Sequence, residues 1–263
     1  MQLKSRIHSC KLPHLVGHRP QQSRYRSDFW TPGPNQHRYN NNNVQEILYI
    51  IVIGAVPVLL AITLHEAAHG LVADKLGDPT ARQQGRITLN PIRHVDPQGT
   101  IVIPLVMIVL SKMLLGQLMA FGWAKPVPVD PRHFKQPLLD MALVALAGPA
   151  SNFVMGSLWA LFISLSTAVV SDASILKHLV FMGEIGIFIN VLLLVLNLLP
   201  IPPLDGGRIV AGVLPKEMAL VYLRIEPFGM WILLALLFSG VLGQILWPLI
   251  VRFQAIISAV FIF

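Results

Sequence analysis

The residues best suited to chemistry stand at positions 65–69, His65-Glu66-Ala67-Ala68-His69. On a helix, positions four apart share a face, so both imidazoles can meet one metal ion. Glu66 then stands beside the metal, placed to take a proton from a bound water. Two His ligands, a third ligand from elsewhere and a water in the fourth position are the mechanics of the zinc hydrolases. The motif directly continues an apolar run, where ionisable side chains are costly and usually functional. The plainer reading is a polar cap at a membrane interface, with both imidazoles among headgroups.

A third ligand must be an Asp, Glu or His at the mouth of another apolar run, and Asp205 fits best. It follows Asn197-Leu-Leu-Pro-Ile-Pro-Pro-Leu204 and precedes Gly206 and Gly207. The proline-rich run breaks a helix inside or at the edge of the bilayer, where broken backbone is tolerated if it lines a protein cavity. The two glycines would let backbone approach the metal closely. Taken alone, Pro, Asp and Gly also make an ordinary exit turn; the His pair is what favours a ligand.

The pair His65-Glu66-x-x-His69 and Asn197-x-x-Pro200-x-x-x-Leu204-Asp205-Gly206 resembles the site-2 protease family of intramembrane zinc metalloproteases. The nearest likeness is to its compact bacterial group without a PDZ domain. Residues 61–99, Phe121–Val129 and Ala147-Gly-Pro-Ala-Ser-Asn152 look like that group as well. The resemblance spans roughly 44–225 and leaves out 1–43. It implies that His65, His69 and Asp205 bind one zinc ion per chain and that Glu66 is the catalytic base. It also implies an integral, multi-pass enzyme of the bacterial inner membrane, its active site toward the cytoplasm, acting on transmembrane protein substrates.

Other polar residues carry two readings each. Asn197 could hydrogen-bond substrate backbone or a developing oxyanion, or join helices. Asn152 could join that site, or with Gly148 and Pro149 make a small-residue packing face. His94, beside Asn90 and Asp96, could fold back near the metal or stay solvated in its loop. Glu184 reads as interfacial. Trp123 and Lys125, in the proline-alternating segment 121–129, suit an extended edge that could pair with an unwound substrate.

The elements that must position these residues are apolar. The chain has 263 residues, 54% hydrophobic and 13% charged, with a mean hydropathy of +0.63. That composition excludes a coiled coil, a disordered polyelectrolyte and an ordinary cytosolic enzyme. Charge-free runs cover 47–64, 141–170, 185–204 and 227–251; 100–121 is interrupted by Lys112 and Gly116, and 253–263 follows Arg252. The expected fold is an all-α polytopic membrane protein with five to six apolar segments, one of them re-entrant. The metal site gives the reason. His65, His69 and Asp205 can meet only if the first span and the span before Asp205 run parallel. A single crossing by 100–121 would make them antiparallel, so that segment should return to its own side near Lys112 or Gly116.

The net charge of +7 is mostly local. Residues 1–43 hold Lys4, Arg6, Lys11, Arg19, Arg24, Arg26 and Arg38 against Asp28, while the remainder holds 13 basic and 12 acidic residues. The expected organisation is a disordered basic arm over 1–43, a catalytic core over 44–226 and C-terminal membrane helices over 227–263. A chain starting near Val44 is the alternative to a native arm. Charge confined to an arm argues against nucleic-acid binding, and Cys10, the only cysteine, excludes an intrachain disulfide. A membrane metal transporter using the same His and Asp residues is the alternative function. A protease that takes Glu184 as third ligand is another.

Overall fold

In the computed structural model, which describes residues 42–115 and 122–261, the apolar runs fold into helix. A lipid-facing backbone must satisfy its own hydrogen bonds, and helix does so within one segment. The arm up to residue 41, Gly116 and Phe121 lie outside the described residues.

Helix α1 (Asn42–Lys75) runs on through Pro57 and carries the His pair two turns before its end. A short α2 (Thr80–Gln83) and turns at Pro91–His94 and Pro97–Val102 lead to α3 (Ile103–Leu115). A non-helical segment, 122–130, then leads to α4 (Pro137–Val169) and α5 (Ala173–Asn197). Helices α6 (Asp205–Val213), α7 (Lys216–Leu223), α8 (Glu226–Phe238) and α9 (Val241–Phe261) follow. Among the described residues there is no strand.

Four helices are long and apolar enough to cross a membrane: α1 from Ile51, α4, α5 and α9. Helices α7 and α8, bent by 58° at their junction, make a fifth if taken as one span. Their outward faces carry Val52, Val154, Leu165, Val169 and Trp231, all more than half exposed. So much apolar surface belongs against lipid. The protein is an all-α, multi-pass integral membrane protein.

Three segment limits differ from the sequence expectation. The 185–204 run begins as helix at Ala173, because the Asp172 carboxylate caps the first turn by accepting from Ser174 N and Ile175 N at 2.8 and 3.0 Å. Lys177 and Glu184 sit on exposed positions of that helix, so neither charge stops it. It ends at Asn197, because Pro200, Pro202 and Pro203 cannot continue it. The C-terminal break falls at Gly240, whose φ of 76° suits glycine, and α9 passes straight through an exposed Arg252.

The segment 100–121 does return to its own side. Trp123 N donates to Gly99 O at 3.0 Å, and Thr100 Oγ1 donates to Trp123 O at 2.9 Å. Its two ends are therefore neighbours, which a single crossing of a core about 30 Å thick forbids. The chain stays helical past Lys112, so the return does not fall there, and the alternative turn at Gly116 lies outside the described residues.

The main core joins α4, α5, α8 and α9 through Trp159, Ile163, Ile187, Val191, Leu233, Leu246 and Ile257. Small residues let α4 and α5 close up: a Cβ on Gly186 would lie 2.4 Å from the Trp159 ring, and one on Gly183 would lie 2.4 Å from Ile163. This tight pair holds Asn152 and Asn190 facing each other.

Candidate metal centre

His65 and His69 project from one face of α1, and Asp205 opens α6 at the far side of the proline-rich loop. The two Nε2 atoms are 3.1 Å apart. Asp205 Oδ2 is 3.3 Å from one and 3.4 Å from the other. These three residues are the group of potential metal ligands found among the described residues. Glu184 and His94 are not in it.

The hydrogen bonds around the imidazoles fix which ring nitrogens face one another. His69 Nδ1 lies 2.7 Å from Val144 O, a carbonyl that only accepts, so Nδ1 carries the proton. His65 Nδ1 lies 2.6 Å from Asn152 Oδ1, and the same holds. Both Nε2 atoms therefore present lone pairs to each other and to a carboxylate oxygen. Asp205 Oδ2 is buried and has no hydrogen-bond partner. Three converging acceptors with no proton among them repel unless a cation lies between them. A tetrahedral zinc ion with bonds of about 2.0–2.1 Å has ligand-to-ligand edges of about 3.3–3.4 Å. The two edges to Asp205 match that and the edge between the imidazoles is about 0.2 Å shorter, while His, His and carboxylate are zinc-type donors.

Gly148 makes the site possible. A Cβ there would lie 2.4 Å from His69 Nε2 and 2.5 Å from the Cε1 atoms of both rings. Helix α4 thus presses its backbone against the imidazoles. The packing expected of Gly148 and Pro149 is real, and what Gly148 packs against is the imidazole pair.

Gly206 and Gly207 act differently from expectation. They bring α6 against backbone rather than against the metal site. A Cβ on Gly206 would lie 2.3 Å from Leu199 O, and one on Gly207 would lie 2.4 Å from Pro202 N. Glycine at both positions lets the loop fold back on the start of α6, which places Asp205.

Glu66 accepts a hydrogen bond from Val127 N at 2.9 Å. Pro126 and Pro128 flank that amide, so it is the one backbone donor at 126–128. The segment is held in turn by Arg86, buried, whose guanidinium donates to Lys125 O at 2.9 Å and Pro126 O at 3.3 Å. Arg86 and Val127 were missed from sequence, since neither type signals a role until the two loops meet. His94 is buried: its Nε2 lies 3.0 Å from Thr88 O, and its carbonyl accepts from Lys125 N at 2.9 Å. It braces loops away from the ligand group. Trp123 and Lys125 use their amide N–H groups on the 94–99 loop, so that edge of the extended segment is already paired. Asn197 bonds its own helix at Leu193 O, 3.0 Å away. Asn152 turns out to orient His65.

Comparison with known proteins agrees with this chemistry. Residues 162–240 match the model of peptidase family M50; that stretch contains Asp205 and not the His pair. A Bacillus subtilis protein named "Putative zinc metalloprotease YwhC" is 38% identical over 197 residues, 74% of this chain and 84% of the relative. The chain belongs to peptidase family M50. A Mycolicibacterium smegmatis protein named "Putative zinc metalloprotease Rip2" is 29% identical over 208 residues, 78% of this M50 chain and 73% of the relative. Its Mycobacterium tuberculosis H37Rv namesake is 27% identical over 204 residues, 76% and 73%. No solved structure matches this M50 protein significantly. By family it is a metalloprotease, and the His65, His69 and Asp205 cluster gives it one place of the right composition for the metal.

Proposed function

We propose that this protein is a zinc-dependent endopeptidase that cleaves transmembrane or membrane-associated proteins within the bilayer. The observation that carries the reading is the convergence of His65 Nε2, His69 Nε2 and Asp205 Oδ2, with Glu66 next in sequence to a ligand. Zinc, when bound, lowers the pKa of water from about 16 toward 7 and polarises a carbonyl. His65, His69 and Asp205 would hold the ion. Glu66 takes the proton from water and delivers it to the departing amine. Val127 N–H keeps the Glu66 carboxylate turned toward its work. A helical substrate must unwind before its peptide bond can be reached, and Asn197 is the polar group proposed to meet its backbone.

A shallow apolar groove of about 370 Å³ runs along a face of α1 that does not include Glu66, lined by Leu64, Ala67, Ala68, Leu71, Ile87, Thr88, Leu89 and Ser151. Such a lining suits a transmembrane segment. The site end of the molecule is proposed to face the cytoplasm of a bacterial inner membrane.

The test uses purified chain in lipid vesicles with a transmembrane peptide substrate. Cleavage should require zinc and stop with chelator. Glu66→Gln should keep zinc and lose cleavage, while His65→Ala should lose both. Proteolysis retained by Glu66→Gln overturns the assignment. Zinc carried across the vesicle membrane without cleavage would favour a transporter.

A further inference from the structure

Asn190 is wholly buried on α5 and touches none of the three ligand atoms. Its Nδ2 donates to Gly186 O, one turn back, at 2.8 Å. A backbone carbonyl only accepts, so the nitrogen must lie on that side and Oδ1 on the other. Oδ1 accepts from Asn152 Nδ2 at 3.0 Å. This leaves Asn152 Oδ1 as the atom 2.6 Å from His65 Nδ1. Each link has one allowed polarity, and the first is set by a carbonyl that cannot turn.

We propose that Asn190 is a positioning residue for the metal centre: the chain Gly186–Asn190–Asn152 fixes the proton of His65 on Nδ1 and so keeps its Nε2 lone pair for the cation. The other tautomer would point an N–H at the ligand group and could not bind. Inside a bilayer there is little water to take over an orienting bond, so the protein must supply it. Asn152 has a second, weaker hold, since Ala61 O lies 3.4 Å from the same nitrogen. Loss of Asn190 should therefore weaken the site rather than abolish it. His69 is an internal control, because Val144 O orients its Nδ1 directly. Buried asparagines also join membrane helices, and the test must separate gluing from orienting.

The inference rests on the metal-centre reading above. The full chain is labelled with ¹⁵N-histidine, reconstituted in lipid and stripped of metal. Solid-state NMR then reads the tautomer of each imidazole, and Co²⁺ titration reads affinity. Wild type should hold His65 with the proton on Nδ1. Asn190→Leu should admit the second tautomer at His65 but not at His69, and Co²⁺ affinity should fall about tenfold or more. Asn152→Asp presents an acceptor to His65 without help, so adding Asn190→Leu to it should cost nothing further. Asn190→Ala, which removes the amide without adding bulk, carries the same expectation should the leucine variant fail to fold. An unchanged His65 tautomer, equal losses in both backgrounds, or equal disturbance of both imidazoles overturns the proposal. Failure of the wild type to bind Co²⁺ overturns the metal-centre reading itself. Binding without peptide cleavage overturns only the protease reading and leaves the relay standing.

Discussion

At the scale of single residues, Gly148 is the sharpest test of how the site is built. Its Cα stands where any side chain would enter both imidazole rings. Gly148→Ala should push the rings apart and cut zinc content at least about tenfold, as loss of ligand support does elsewhere. The same overpacking should cost about 1–3 kcal/mol of stability. Zinc stoichiometry and thermal unfolding of the metal-free protein check the two effects, and a variant with full zinc content would refute the contact. His65, Glu66, His69 and Asp205 are legible in sequence because their types and spacing are themselves the signal. Asn152 is visible only as a polar residue in an apolar run. Its role depends on His65, 87 positions away, and on Asn190 from a third helix. No local pattern encodes such partners.

At the scale of elements, the segment 122–130 has most to explain, since it is fixed wholly by other parts of the chain. Its centre is held by Arg86 and braces Glu66. Arg86→Ala should free the two carbonyls and let Val127 N–H drift from the carboxylate. Zinc content should stay at the wild-type level while kcat falls roughly ten- to a hundredfold, as for a misplaced catalytic group. A parallel loss of zinc would show that Arg86 supports the ligands instead. The far end of the segment is held by Asp78, whose side chain is fully buried. It accepts from Thr80 N at 3.1 Å, Asp130 N at 2.7 Å and His133 Nδ1 at 2.9 Å, and also from the Thr80 hydroxyl. Burial raises the Asp78 pKa, but these donors together outweigh it and leave the value below 3.8. A carboxylate with a depressed pKa stabilises the fold above its unfolded value, and that stabilisation is lost as pH falls through the folded value. Asp78→Asn should therefore lower the unfolding temperature at pH 7, and the gap to wild type should narrow as pH falls through the folded-state value, which lies below the usual carboxylate range. A gap that stays the same at every pH would refute the charge argument. The sequence shows extended character here, through alternating prolines. It does not show that one edge is already taken by the 94–99 loop.

At the scale of the whole molecule, the return of segment 100–121 decides which charges share a face. Lys75, Arg82, Arg86, Arg93, Lys125, Arg132 and Lys135 lie between the end of α1 and the start of α4, on the side of the metal centre. The connection between α4 and α5 carries Asp172 and no cation until Lys177. Positive charge in short loops favours the cytoplasmic side. From sequence alone only the four residues before the segment 100–121 stand against the basic arm, because the other three fall beyond a segment that could have crossed. Once residues 99 and 123 are joined, the cluster is counted as one, and it outweighs the other loop without reference to the arm. The site face should then be cytoplasmic. Full-length single-cysteine variants in a Cys10→Ser background test it with a membrane-impermeant maleimide on intact cells. Ser171→Cys should label from outside, while Arg93→Cys and Arg132→Cys should label only after lysis. All three positions are exposed. Labelling of Arg93→Cys and Arg132→Cys on opposite sides would break the return of the segment. Joint labelling of both from outside would keep the fold and invert its orientation, placing the catalytic water supply outside the cell.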